Sequence, residues 1–260
     1  MQRAEMDHST GNGAGTALDS ENLVHHAIPP RPLGRVLVTG GSSGLGAAIV
    51  EAVAERHGTP IVVDRQPPRD TDLDLDFEQV DLADARAAEQ VVERAIERHG
   101  GLDAVVTAAG IDRCGRLVDV DAAEWDRVVM VNLLGTAAVV RAALPQLEQR
   151  RGKVVTVSST LGVKAVSDAT AYCASKFGVV GFTRALAAET AGTVGVTLLV
   201  PGGMWTHFFD DRPDQYKPGA DAKLNDPAQT ADAVLYALTR PAGSEVRELV
   251  VTSSEEGSYP

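Results

Sequence analysis

The sequence predicts a single α/β domain: a doubly wound parallel sheet of about seven strands flanked by helices. Three observations carry that expectation. From Arg35 onward, short apolar runs alternate with segments of helical spacing. A glycine-rich turn joins the first apolar run to the first helical segment. The composition is 44% apolar but only 4% aromatic, which suits a core of Val, Ala and Leu in a parallel sheet covered on both faces.

The elements follow in order. Residues 1–33 are expected to form a disordered tail, because Gly11-Asn12-Gly13-Ala14-Gly15 and Pro29-Pro30-Arg31-Pro32 leave no face to bury. The domain is expected to span residues 34–260. Val36-Leu37-Val38 reads as the first strand, residues 45–56 as a helix and Ile61-Val62-Val63 as the second strand. The crossover between Asp64 and Val80 is irregular, with Pro67-Pro68 and several Asp, and ends in a short strand near Gln79-Val80. A helix over 84–99, a strand at Ala104-Val105-Val106 and one long helix over 123–149, perturbed near Pro145, come next. A strand over 153–157, a helix over 169–191, a strand over 196–200, a helix over 228–238 and a strand over 248–251 complete the alternation. Residues 203–227 hold turn residues and no periodicity, and a loop that long in a compact domain is usually functional.

At 260 residues with a net charge of −12, the chain is an improbable partner for nucleic acid or an anionic membrane. No apolar run reaches the ~18 residues of a membrane span, and the N-terminus has no secretory apolar segment, so a cytoplasmic location is expected. Cys114 and Cys173 make neither a metal-ligand set nor a disulfide framework, and no metal site is predicted.

The chemistry concentrates in Ser159 and Tyr172-Cys173-Ala174-Ser175-Lys176. Tyr172 and Lys176 are i and i+4, so a helix projects them from one face. Ser159 lies at the end of the apolar run Val154-Val155-Thr156-Val157, where a strand end brings it to the same point. A phenol titrates near about pH 10, and a neighbouring ammonium favours the phenolate. The trio reads as a proton-transfer device, with Ser159 donating to the reacting oxygen. Cys173 beside it reads as a small buried filler.

Thr39-Gly40-Gly41-Ser42-Ser43-Gly44-Leu45-Gly46 has the strand–turn–helix setting of a pyrophosphate cradle. Asp64 ends the second strand, eighteen residues after Gly46, where a carboxylate binds a ribose 2′-hydroxyl and repels a 2′-phosphate. That favours NAD(H). Arg65 beside it could neutralise a 2′-phosphate, so NADP(H) stays open.

With these residues in place, the sequence resembles the short-chain dehydrogenase/reductase family, in its compact Rossmann-fold branch, from Arg35 to about the C-terminus. The glycine loop matches TGxxxGxG. Asp81-Leu82 matches the acidic position near the adenine, and Thr107-Ala108-Ala109-Gly110 takes the place of the family's NNAG. Asn132, Ser159, Tyr172 and Lys176 match the catalytic tetrad, and Pro201-Gly202, Met204 and Thr206 fall in the PGxxxT segment at the nicotinamide. The resemblance implies that Tyr172 is the general acid or base and that Lys176 tunes it and holds the ribose. It implies that Ser159 polarises the substrate carbonyl, and that Asn132 bends its helix and holds a water linking Lys176 to solvent. It also implies a homodimer or homotetramer packed through the helices of Asn132 and Tyr172. The C-terminal Thr252-Ser253-Ser254-Glu255-Glu256-Gly257-Ser258-Tyr259-Pro260 departs from the family's usual ending.

The expected reaction interconverts a small secondary alcohol and a ketone. Trp205, Phe208 and Phe209, with Met204, either form an apolar lid over that substrate or pack the loop onto the body or a neighbouring subunit, and His207 among them reads as a solvated loop residue that could tune specificity. Two other functions share parts of the pattern: a non-catalytic NAD-binding regulator and a nucleotide-sugar epimerase. The full tetrad disfavours the first, and the glycine spacing together with the lack of a second domain disfavours the other.

Overall fold

The computed structural model describes residues 29–68 and 71–259. The strands are β1 (Arg35–Thr39), β2 (Thr59–Asp64), β3 (Asp76–Gln79), β4 (Ala104–Thr107), β5 (Lys153–Val157), β6 (Gly195–Pro201) and β7 (Glu248–Val251). All pair in parallel, in the order β3-β2-β1-β4-β5-β6-β7. The winding reverses between β1 and β4, which opens a crevice at the carboxyl ends of the strands. The register aligns those ends: Thr39 lies opposite Val63 and Thr107, and Val157 opposite Leu199.

The helices are α1 (Gly44–Glu55), α2 (Ala85–His99), α3 (Ala122–Val129), α4 (Thr136–Arg150), α5 (Thr170–Glu189) and α6 (Pro227–Leu238). Strand pleating sorts the apolar runs into two cores. Val36, Val38, Val62, Val106, Val155 and Leu199 face α1 and α6. Leu37, Ile61, Val105, Val154 and Val196 face the opposite layer of α2, α4 and α5. Because both faces are covered, the runs are continuously apolar rather than alternating. Each fully buried Leu or Ile contributes about 1.5–3 kcal/mol of transfer free energy.

The sequence pattern predicts one helix over 123–149. The structure instead breaks it with a π turn at Met130–Gly135, between α3 and α4. The break occurs where Gly135 meets the loop after β3: a methyl group there would lie 2.8 Å from the Leu82 carbonyl oxygen. The continuous run 122–150 is long and apolar enough by composition to cross a bilayer, but half of its most apolar stretch is buried in the body, as in a core helix.

The tail expected over residues 1–33 lies outside the described residues as far as residue 28. Its last residues belong to the body: Leu33 is buried in the α1–α6 core, and the Arg31 amide donates to the Thr239 carbonyl at 2.9 Å. At the other end, the chain turns back after β7. Glu256 accepts from the Gly203 amide at 3.1 Å and from the Ser258 amide at 3.1 Å, and the Ser258 hydroxyl meets Thr160 at 2.6 Å. This strap ties the segment after β6 to the segment after β5.

Candidate active site

A cleft of about 1530 Å³ runs along the carboxyl edge of the sheet. One end is the turn between β1 and α1. Gly40 has φ +69° and lies against Ala109, whose backbone nitrogen would be 2.8 Å from any added methyl. Gly46 lets α1 start directly over the turn, because a methyl there would lie 2.0 Å from the Gly40 carbonyl oxygen. Ser43 stands at the N-cap but makes no side-chain cap bond, and no acidic residue occupies the first turn. The helix therefore points uncapped N–H groups into the cleft, the arrangement that binds a pyrophosphate. Gly46→Ala is expected to force the turn open, lowering the unfolding midpoint by several degrees and weakening NADH binding at least about tenfold. Thermal unfolding and NADH fluorescence titration check both.

The adjoining end is built from β2 and β3. The Asp64 carboxylate accepts from the Ser42 and Gln66 amides, each at 3.1 Å, so it is fixed at the cleft edge with lone pairs to spare. Arg65 lines the same edge. Asp81 accepts from the Ala83 amide at 3.0 Å and from Arg127 at 2.6 Å. Burial pushes its carboxyl up, but the Arg127 guanidinium and the Ala83 amide outweigh that and hold it below the usual range. Leu82, Ala108, Ala109 and Gly110 line the floor between these points. The residues thus fit a dinucleotide: an uncapped helix start for the phosphates, a carboxylate for the ribose and a small-residue floor.

At the centre, α5 presents Tyr172 and Lys176 together. Lys176 is 3% exposed, and its amine donates to the Val157 carbonyl at 2.9 Å and lies 5.6 Å from the Tyr172 ring centroid. Burial pushes this amine down to about 8. The sequence reading gives Lys176 the task of lowering the phenol. In the folded chain, burial pushes the Tyr172 phenol above its ordinary value, opposed by hydrogen bonding to Ser159, while the Asp112 charge adds to the rise and Arg212 opposes it. Ser159 begins a 3₁₀ turn, where its hydroxyl accepts from the Leu161 amide at 3.1 Å. Asn132 sits in the π turn, 1% exposed. Its amide nitrogen donates to Ile111 O at 2.9 Å and Ser175 Oγ at 3.0 Å, and its oxygen accepts from the Ile111 amide at 2.8 Å. A methyl placed on Gly110 would lie 3.4 Å from Lys176 Nζ and 3.6 Å from Asn132 Oδ1, so lysine and asparagine converge on that glycine.

Pro201, Gly202, Met204 and Thr206 line the cleft, and Thr206 closes over Gly44 of the phosphate turn. Phe208 lies in the cleft with its ring 5.7 Å from Tyr172. Trp205 does not join them: it is 56% exposed and borders a separate hollow beside Phe209, Lys217 and Leu224. Among the cleft residues to which the sequence pattern assigns no role are Asp112, Arg127, Arg212 and Glu256. All are charged residues outside any motif, brought in by tertiary contacts.

Comparison with known proteins shows the family and the fold. The short chain dehydrogenase family profile matches residues 35–217. An uncharacterized oxidoreductase of Staphylococcus aureus (strain MW2) is 33% identical over 224 residues, covering 83% of this chain and 95% of that protein. The L-fucose dehydrogenase of Mus musculus is 31% identical over 242 residues, covering 86% and 89%. Among solved structures, an alcohol dehydrogenase from the archaeon Thermococcus sibiricus, complexed with 5-hydroxy-NADP, superposes with a TM-score of 0.76 at 23% identity, covering 86% and 97%. The aldohexose dehydrogenase of Thermoplasma acidophilum gives 0.76 at 23% identity, covering 84% and 92%. The chain belongs to the short-chain dehydrogenase family: it is an oxidoreductase that acts on CH–OH groups with NAD(P).

Proposed function

We propose that this protein interconverts a small secondary alcohol and its ketone, with NAD(H) preferred over NADP(H). The observation that carries the reading is the meeting of a serine hydroxyl, a buried phenol and a buried amine beside an uncapped helix start. A bound nicotinamide dinucleotide supplies or takes up the hydride. Tyr172 gives a proton to the carbonyl oxygen in reduction and takes the hydroxyl proton in oxidation. Ser159 donates to the same oxygen, and Lys176 holds the ribose. Asn132 fixes Ile111 and Ser175 around Lys176. Phe208 gives the substrate an apolar wall.

An absorbance assay of NADH and NADPH consumption against a panel of ketones and alcohols tests the reaction. L-fucose heads the panel because one relative bears its name. Absence of turnover with every substrate and both cofactors defeats the reading. The cofactor preference rests on Asp64, held by two backbone amides at the ribose edge. Asp64→Ala is expected to raise the ratio of kcat/KM for NADP over NAD by about tenfold or more. An unchanged ratio removes the preference.

We further propose a homodimer or homotetramer joined through the face that bears Met130, Leu134 and Phe177. These side chains are exposed on the π turn and α5, in agreement with the pairing implied by the family resemblance.

A further inference from the structure

The sheet is complete at Val251, yet the chain turns back until Glu256 and Ser258 line the cleft. Their side chains belong to one series of hydrogen bonds. Glu256 Oε2 accepts from the Gly203 amide at 3.1 Å. Oε1 accepts from the Ser258 amide at 3.1 Å and the Ser258 hydroxyl at 2.6 Å. Burial pushes the Glu256 carboxyl up, but the bonds from Ser258 and Gly203 outweigh that and hold it below the usual range, so it is ionised at neutral pH. An ionised carboxylate only accepts, so the one hydroxyl proton of Ser258 points at Glu256. The 2.6 Å contact between Thr160 Oγ1 and Ser258 Oγ then has a single direction, with Thr160 donating. The series runs from the Thr160 hydroxyl through the Ser258 hydroxyl to the Glu256 carboxylate, and the Gly203 amide donates to it from the other side. Hydrogen bonds to an ion are strong, and successive ones reinforce one another.

The two ends of the series stand on two walls of the cleft. Thr160 is 3% exposed and directly follows Ser159. Gly203 opens the segment that passes over the β1–α1 turn, where a methyl on Gly44 would lie 3.3 Å from Thr206, and that then brings Phe208 onto Tyr172. A dinucleotide with its phosphates at that turn and its reactive ring at Tyr172 runs along this segment. The strands behind the two walls, β5 and β6, are neighbours, and the Ser158 amide still bonds to the Leu199 carbonyl at 2.8 Å. Beyond that bond, among the described residues, no backbone hydrogen bond joins 159–162 to 201–203. The Gly202 amide bonds to Val251 O at 2.9 Å and the Gly203 carbonyl accepts from the Asn225 amide at 2.8 Å, both away from Ser159. The series through Glu256 ties the segment toward Ser159, and Lys164, from the same turn, donates to Gly257 O at 3.1 Å.

We propose that Glu256 is a positioning residue for hydride transfer: through Ser258 and Thr160 it sets the gap between the Ser159 turn and the 201–203 wall. The first places the reacting oxygen and the second places the nicotinamide. The inference rests on the oxidoreductase reading given above. A misplacement of about 1 Å between reacting groups costs about a hundredfold in rate.

Single-turnover reduction of the best ketone of the panel by bound NADH reads the hydride step, and NADH fluorescence titration reads the Kd. Glu256→Gln keeps the shape but turns an amide nitrogen toward a donor. It is expected to slow the step by about tenfold or more while the NADH Kd changes by less than about threefold. Thr160→Val deletes a hydroxyl at the far end of the series and is expected to slow the step by a similar factor. Thr160→Ser keeps that hydroxyl and is expected to stay within about threefold of the natural rate. The double variant Glu256→Gln, Thr160→Val is expected to be no slower than the slower single variant, because one series is broken only once. A merely structural strap would lower the unfolding midpoint and leave the hydride step of the folded protein unchanged, which overturns the proposal. Multiplied effects in the double variant, or equal losses in Thr160→Ser and Thr160→Val, overturn it too. If Glu256→Gln fails to fold, Thr160→Val against Thr160→Ser decides. If the natural protein turns over no substrate, the oxidoreductase reading fails, and the emission maximum of bound NADH still tests the positioning. A maximum moved by Thr160→Val and Glu256→Gln but not by Thr160→Ser supports it, and an unmoved maximum overturns it.

Discussion

Tyr172→Phe is expected to lower kcat by about 10²–10⁴-fold while NADH affinity changes by less than about threefold. The two readouts separate because the substitution deletes only the proton carrier. The ring remains 92% buried at its place, still packed against Phe208 and beneath the Lys176 amine. Removing the hydroxyl from that apolar setting costs little stability, so the loss falls on the chemical step. Single-turnover kinetics with NADH fluorescence titration measure both quantities. Retention of more than about a tenth of kcat would take the proton-transfer role from Tyr172.

Lys176→Met is expected to lower kcat/KM by about a hundredfold or more, and unlike Tyr172→Phe to weaken NADH binding as well, because the amine is the proposed ribose contact. Its effect on stability runs the other way. Burial lowers the folded-state pKa of Lys176 to about 8 from 10.5. Between these values the unfolded chain binds more protons than the native one, so the stability of the natural protein rises with pH across that window. Below pH 8 the buried charge costs the whole difference, about 3 kcal/mol. Methionine removes that cost and leaves the Val157 carbonyl without its donor, a loss of about 1–2 kcal/mol. The variant is expected to equal or slightly exceed the natural protein in stability at pH 7, and to lose that advantage as pH climbs from 8 to 10.5. Urea unfolding at pH 7, 8.5 and 10 measures it. An advantage that grows with pH contradicts the buried-charge account.

The sequence and the structure agree where local pattern decides. Val36-Leu37-Val38 and the runs like it became six of the seven strands, each built round an apolar run, and the glycine loop occupies the strand–helix turn it predicts, whereas β3 (Asp76–Gln79) has no apolar run and ends before Val80, in the stretch that reads as irregular crossover. Tyr172 and Lys176 share a helix face as i and i+4 must. Agreement fails where one tertiary contact decides. Asp112 and Arg212 are a hundred residues apart, and no periodicity couples them. Glu256 reaches the cleft because Gly202 leaves room for its carboxylate, which would lie 2.5 Å from a methyl there, and the Gly203 amide donates to it. Trp205 and Phe208 look equivalent in sequence. The backbone bond from the Trp205 amide to Asn225 O fixes the chain at Trp205, and the two rings stand in separate hollows.

The π turn carries a consequence for how this chain tolerates change. One extra residue per turn rotates everything beyond it by about 100° relative to an uninterrupted α-helix. α3 therefore packs on α5, whereas α4 packs on α2 and the sheet, although the two helices are continuous in the chain. Their sequences are out of phase by one position, and Met130–Gly135 is the splice that reconciles them. Deleting a single residue from the splice would satisfy every helical hydrogen bond and still be ruinous. It would turn the apolar stripe of α4 off the core and swing Asn132 away from Lys176. Insertions and deletions should thus be far less admissible at 130–135 than at 203–227, although both stretches break regular structure.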